Sequence, residues 1–163
     1  MLLVNRVILT ALLALIFVSN LAVATEIQTK KNVMITNAWV RSTNPGQAVG
    51  AAYMTLIAKQ NATLMRVESD VSASVEMHSM NMANGVMKMR MLENLKLTAN
   101  KPYSLTPGGF HMMLFNLKKP LNVGDNVRVT LYFKTKLTQF KQTIIVPVKS
   151  IEEVNVIDSV KTR

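Results

Sequence analysis

An all-β sandwich is the fold that this sequence predicts, on three observations. Turn chemistry recurs about every ten residues, the spacing of a sandwich or small barrel. The segments between the turns read as strands, and no long amphipathic helix interrupts them. Asn44-Pro45-Gly46, Asn84-Gly85, Pro107-Gly108-Gly109 and Val123-Gly124-Asp125 supply the turn signals.

The N-terminal segment stands apart from this pattern. Arg6 precedes an apolar run from Val7 to Val18, and Ala22-Val23-Ala24 carries the small-x-small pattern cut by signal peptidase. The run is shorter than the roughly 20 residues a spanning helix needs, so residues 1–24 are expected to be a cleavable signal peptide. The remaining segment, 25–163, is long enough for one domain with its own core and too short for two. With no cysteine in the chain, it has no disulfide, no lipid-attachment cysteine and no thiolate metal site.

Strands are expected from Asn32 to Arg41, Gly50 to Ala58, Ala62 to Ser69, Ser72 to Met80, Val86 to Leu92, Lys101 to Phe115 with a break at Pro107-Gly108-Gly109, Asn126 to Thr135 and Gln139 to Ile151. Trp39 and Tyr53 fall inside strands and read as core or sandwich-edge aromatics. Between Val75 and Leu92, six of eighteen residues are methionine. Met77, Met80, Asn84, Met87 and Met91 also fit a heptad, the seam of a helix. Asn84-Gly85 at the centre decides for a hairpin: glycine costs a helix about 1 kcal/mol, and the pair is favoured in a two-residue type I′ turn. That turn pairs Met82 with Met87, Met80 with Met89 and His78 with Met91. Alternation then puts His78, Met80, Met82, Met87, Met89 and Met91 on one face, with Met77, Ser79, Lys88 and Arg90 on the other.

His111 follows a glycine pair, which reads as the turn that aims it. In a strand, His111 and Met113 point one way while Phe110, Met112 and Leu114 point the other. Both histidines of the chain therefore sit in His-x-Met, at His78-Ser79-Met80 and His111-Met112-Met113. With 12 methionines in 163 residues, two such hits by chance come to roughly half a percent, which favours a shared site. Imidazole with thioether suits Cu(I), because soft ligands select it. Hard cations ask for oxygen, and zinc for cysteine, more histidine or carboxylate.

These residues resemble the periplasmic copper chaperone family PCu(A)C. The family pattern of His, ten residues, Met, twenty-one residues, His, one residue, Met falls on His78, Met89, His111 and Met113 with every spacing met. The similarity extends from Asn37 to Leu56 and from Leu105 to Asp125, so it covers nearly the whole domain. What the resemblance implies is a cupredoxin-like β-sandwich with an exposed Cu(I) site, a periplasmic location, and delivery towards the Cu(A) centre of cytochrome c oxidase through an acceptor protein. Relatives with a His- and Met-rich C-terminal tail differ from this chain, which ends in Ser150 to Arg163 with neither residue.

Other classes are disfavoured. Enzymes lack candidates here: there are nine acids, five of them in turn or terminal positions, and no cysteine. A blue-copper carrier would need a cysteine thiolate. The precursor charge of +10 falls to +9 once Arg6 is removed (10 − 1), which favours contact with anionic headgroups or an acidic partner. Nucleic acid does not fit, because the lysines are dispersed without interleaved aromatics and the chain carries an export signal. The competing reading is an exported, metal-free β-sandwich interaction module whose methionines form an adaptable contact patch.

Overall fold

The computed structural model describes residues 32–83 and 85–154. The expected signal peptide and Asn84 of the hairpin turn lie outside the described residues. Ten strands follow one another: β1 (Val33–Arg41), β2 (Val49–Ala58), β3 (Ala62–Ser69), β4 (Ser74–Ala83), β5 (Val86–Leu92), β6 (Leu95–Leu97), β7 (Pro102–Leu105), β8 (His111–Phe115), β9 (Asn126–Lys134) and β10 (Gln139–Lys149). Every expected strand is present within a few residues. β6 is an addition, a three-residue edge strand too short to carry a periodic signal.

The sheet runs in the order β5-β4-β8-β2-β1-β10-β9-β3-β6, and a further pairing of β4 with β3 at Val75 and Val67 closes seven of these strands into a ring. All pairings are antiparallel except β1 with β10, where Val40 and Arg41 lie beside Val148 and Lys149. The expected β-sandwich is thus a barrel-like sheet whose edges are mostly consumed. Closure matters because an open edge of unpaired amides invites other chains. β5 remains as an outer strand, paired through β4 alone.

Alternating residues fill the interior. Phe133, Met54, Leu56, Leu64, Met112, Leu114, Leu121 and Leu131 are fully buried. In β1 the alternation breaks between Thr36 and Trp39, where the register shifts and Asn37 adopts φ 51°. Asparagine tolerates that left-handed conformation better than most residues, and the bulge re-phases the strand so that Val40 enters the core beside Ala52 while Trp39 packs on Tyr53 across the other face, with ring centroids 4.5 Å apart. The expected strand to Ile151 stops at Lys149 instead. Ser150 Oγ accepts from the Glu153 amide at 3.2 Å and Glu153 Oε2 from the Ser150 amide at 3.0 Å, a capping box that opens a helical turn over 151–154.

Two predictions follow from this packing. Met112 is fully buried on the inner face of the strand that carries His111, so Met112→Ala is expected to cost about 2–5 kcal/mol, read as a lower midpoint in urea denaturation. Burial holds the phenols of Tyr53 and Tyr103 above the usual tyrosine range, with Arg41 partly offsetting this at Tyr53. Their contribution to stability is complete below about pH 10 and is lost as pH rises further, because the unfolded phenols ionise first. Thermal melts of a Tyr53→Phe, Tyr103→Phe double variant should show a shallower alkaline decline than the parent.

Candidate metal centre

The centre is built on the rung where β4 meets β8. His78 lies directly opposite His111, Met77 opposite Met112, Glu76 opposite Met113 and Val75 opposite Leu114. Met77, Met112 and Leu114 belong to the buried core, so alternation sends Glu76, His78, His111 and Met113 to the outer face. The imidazole planes are 25° apart and their centroids 5.9 Å apart. Two rings sharing one ion, with metal–nitrogen bonds of about 2.0 Å, place their centroids at most about 6.4 Å apart. The pair is therefore already at a shared-ion spacing.

Hydrogen bonds set which nitrogen each ring offers. His111 Nδ1 lies 2.9 Å from the carbonyl of Gly109, which can only accept, so Nδ1 carries the proton and Nε2 keeps its lone pair. This is the turn expected to aim His111: Gly108 has φ 78°, and the Gly109 amide donates to the Thr106 carbonyl at 3.0 Å. His78 Nε2 donates to Glu76 Oε2 at 2.9 Å, which leaves Nδ1 as the acceptor nitrogen. That Nδ1 is buried and, among the described residues, has no hydrogen-bond partner. An orphaned acceptor costs stability unless something binds it, and a cation is the natural occupant.

Glu76 was not among the residues singled out from the sequence. The signal was there, since a carboxylate two residues before a histidine shares its face of a strand. Carboxylate–histidine pairs of this kind fix ring orientation behind a metal.

The thioethers surround this rung. In the hairpin, His78 pairs with Met91, Met80 with Met89, Met82 with Met87 and Ala83 with Val86, as the two-residue turn requires, and Gly85 has φ 75°. Met89 is diagonal to His78 on β5, and Met113 is diagonal to it on β8, each a step of about 7–8 Å. They lie on opposite diagonals, so an ion held by both must sit over the histidine rung with the two side chains turned inward. Met91 is directly across from His78, and Met80 is the next outward position on its own strand. The expectation of an exposed site holds for the hairpin sulfur and not for the imidazoles: Met89 is 51% exposed and Met113 half-buried, whereas His78 and His111 are 9% and 8% exposed. The imidazoles sink because their rung is flanked by strands on both sides, while β5 is the outermost strand. Among the described residues no three of His, Cys, Asp and Glu cluster to hold a metal.

Fold and centre together define a cupredoxin-like domain that presents two imidazoles and a row of thioethers on one sheet face. The chain belongs to the LpqE-like family, of PCuAC type, whose family model matches residues 33–148. A Leifsonia xyli subsp. xyli protein, Lxx21020, whose name describes it as a lipoprotein, is 28% identical over 124 residues, 76% of this chain and 73% of its own length. Among solved structures, Cu(I)-DR1885 from Deinococcus radiodurans aligns with a TM-score of 0.60 at 26% identity, covering 80% of this chain and 86% of that one. The copper-bound PCuAC domain of PmoF2 aligns with a TM-score of 0.60 at 22% identity, covering 73% of this chain and 93% of that domain, and shares the fold.

The tautomers are testable without any metal. In ¹⁵N NMR of the apo protein, His78 should show its proton on Nε2 and His111 on Nδ1. Glu76→Leu is expected to release the His78 preference, and Glu76→Gln to retain it through its amide oxygen. A parent His78 protonated on Nδ1 would contradict the assignment.

Proposed function

We propose that this protein is an exported copper carrier, not an enzyme, that binds one Cu(I) through His78, Met89, His111 and Met113. It would pass the ion to an acceptor protein of the oxidase assembly pathway, towards the Cu(A) centre of cytochrome c oxidase. In this reading the segment 1–24 directs the chain to the periplasm, and the basic mature surface keeps it near anionic headgroups. The observation that carries the reading is the meeting of both His-x-Met segments on one rung, with a buried, unpartnered His78 Nδ1 beside His111. Two of the structural relatives are themselves described as copper-loaded, which supports copper as the cargo.

The donor chemistry fits capture and release. Thioethers carry no proton to lose, form no disulfides in an oxidising compartment, and favour a soft monovalent ion. Half-exposed methionines on an outer strand let an acceptor's ligands attack before the old bonds break. The imidazoles, held from behind by Glu76 and the Gly109 carbonyl, supply the fixed end of the site. Oxidation of the exposed thioethers to sulfoxides is the expected liability and should weaken retention.

Competition against a chromogenic Cu(I) chelator is the test. The parent should bind one equivalent tightly, and His78→Ala and Met113→Ala should each weaken it by about 100-fold or more, with Met89→Leu also weakening it. Unchanged affinity in both His78→Ala and Met113→Ala would remove the site.

A further inference from the structure

The hairpin carries more sulfur than the histidine rung can use, and its placement is distinctive. β4 pairs with β8 only from Ser74 to His78, whereas its pairing with β5 runs from Met77 to Ala83. Beyond His78 the two strands therefore form a two-stranded arm that leaves the sheet. Met82, Met87 and Met89 on this arm are 68%, 50% and 51% exposed, and Met80 is half-buried. None of the four belongs to the buried core, so packing does not account for them. A bare pair of strands is marginally stable in water, and exposed thioethers add nothing to its stability unless something engages them.

Register places these four side chains as a rectangle on one face, with Met80 opposite Met89 and Met82 opposite Met87. Its sides are about 5 Å across the strands and about 6.8 Å along them, so each β-carbon lies about 4.2 Å from the centre. A methionine sulfur lies about 2.8 Å beyond its β-carbon, and a metal–sulfur bond adds about 2.3 Å. The combined reach of about 5.1 Å exceeds 4.2 Å, so all four sulfurs can meet one ion above the middle of the rectangle.

We propose a second Cu(I) site on the arm, formed by Met80, Met82, Met87 and Met89 and separate from the histidine rung. An all-thioether set selects a soft monovalent ion, since it offers no charge or oxygen to a harder or divalent one. Lys88 and Arg90 occupy the opposite face of the same arm, which further penalises higher charge. Lacking imidazole, the arm site binds more weakly than the rung. Met89 belongs to both candidate ligand sets: with both ions bound it stays with the rung and the arm ion rests on Met80, Met82 and Met87, and with one ion bound its exchange lets the ion step between the sites without entering free solution. The arm then serves as the loading and unloading position for the histidine site.

Anaerobic Cu(I) titration of the mature protein, with chelators of graded strength, tests this. The parent should take up two equivalents, the second at least about tenfold more weakly. Met82→Leu combined with Met87→Leu, which removes sulfur while keeping apolar volume, should abolish the second equivalent and shift the first less than about threefold. His78→Ala combined with His111→Ala should retain one weak equivalent, which separates the arm from the rung. With ¹³C-methyl methionine, the second equivalent should move the Met82 and Met87 resonances in the unmutated protein. Saturation of the parent at one equivalent, or a second equivalent that survives in the double leucine variant, overturns the arm site. Loss of nothing in the histidine variant would instead count against the rung and leave the leucine comparison readable.

Discussion

The pairing of β4 with β8 is the constraint on which the rest depends. Two segments more than thirty residues apart meet in a register that sets His78 against His111 on the outside and Met77 against Met112 on the inside. A shift of one residue would bury the imidazoles in the sandwich and expose the core methionines. The apolar inner face forbids that shift, since Met112 and Leu114 are among the most completely buried side chains of the chain. Packing of the core thus aligns the histidines, and no separate device is required to bring them together.

From that rung outward the structure grades from fixed to exposed. The imidazoles are buried and held from behind, one by a carboxylate and one by the carbonyl of a glycine turn. The sulfurs of β5 stand half in solvent on a strand with a single neighbour. Stability of opening follows the same gradient, because elements with few buried contacts open at lower free energy than the core. On the proposed carrier reading this division has a use: the buried nitrogens would define where an ion sits, and the half-exposed thioethers how it arrives and leaves.

Much of this was legible from the chain. Asn84-Gly85 gave away the hairpin and with it the complete set of β4–β5 pairs, because a two-residue turn leaves no freedom of register. Gly108 and Gly109 were readable as the turn that aims His111. The ends were less legible. Ser150 and Glu153 form a capping box that converts the end of an expected strand into a helical turn, and Asn37 places a bulge where plain alternation was expected. Both are local hydrogen-bond or dihedral choices that apolar periodicity does not record. Glu76 does not stand out in the sequence, because an acid two residues from a histidine only shares its strand face, and the hydrogen bond between them is a feature of the fold.

By itself the sequence determined the fold class, the hairpin register and which imidazoles and thioethers share a strand face, since turn residues and strand alternation are properties of short segments. Only the tertiary structure decided that β8 lies beside β4, that both imidazoles are buried, and that one ring nitrogen of each is held by a hydrogen bond while the other is left open. Those facts arise from ring closure of a sheet through β3 and from a parallel β1–β10 pairing, contacts between residues distant in the chain. Such pairings are selected by the fit of the whole core, and no local pattern of residues encodes them.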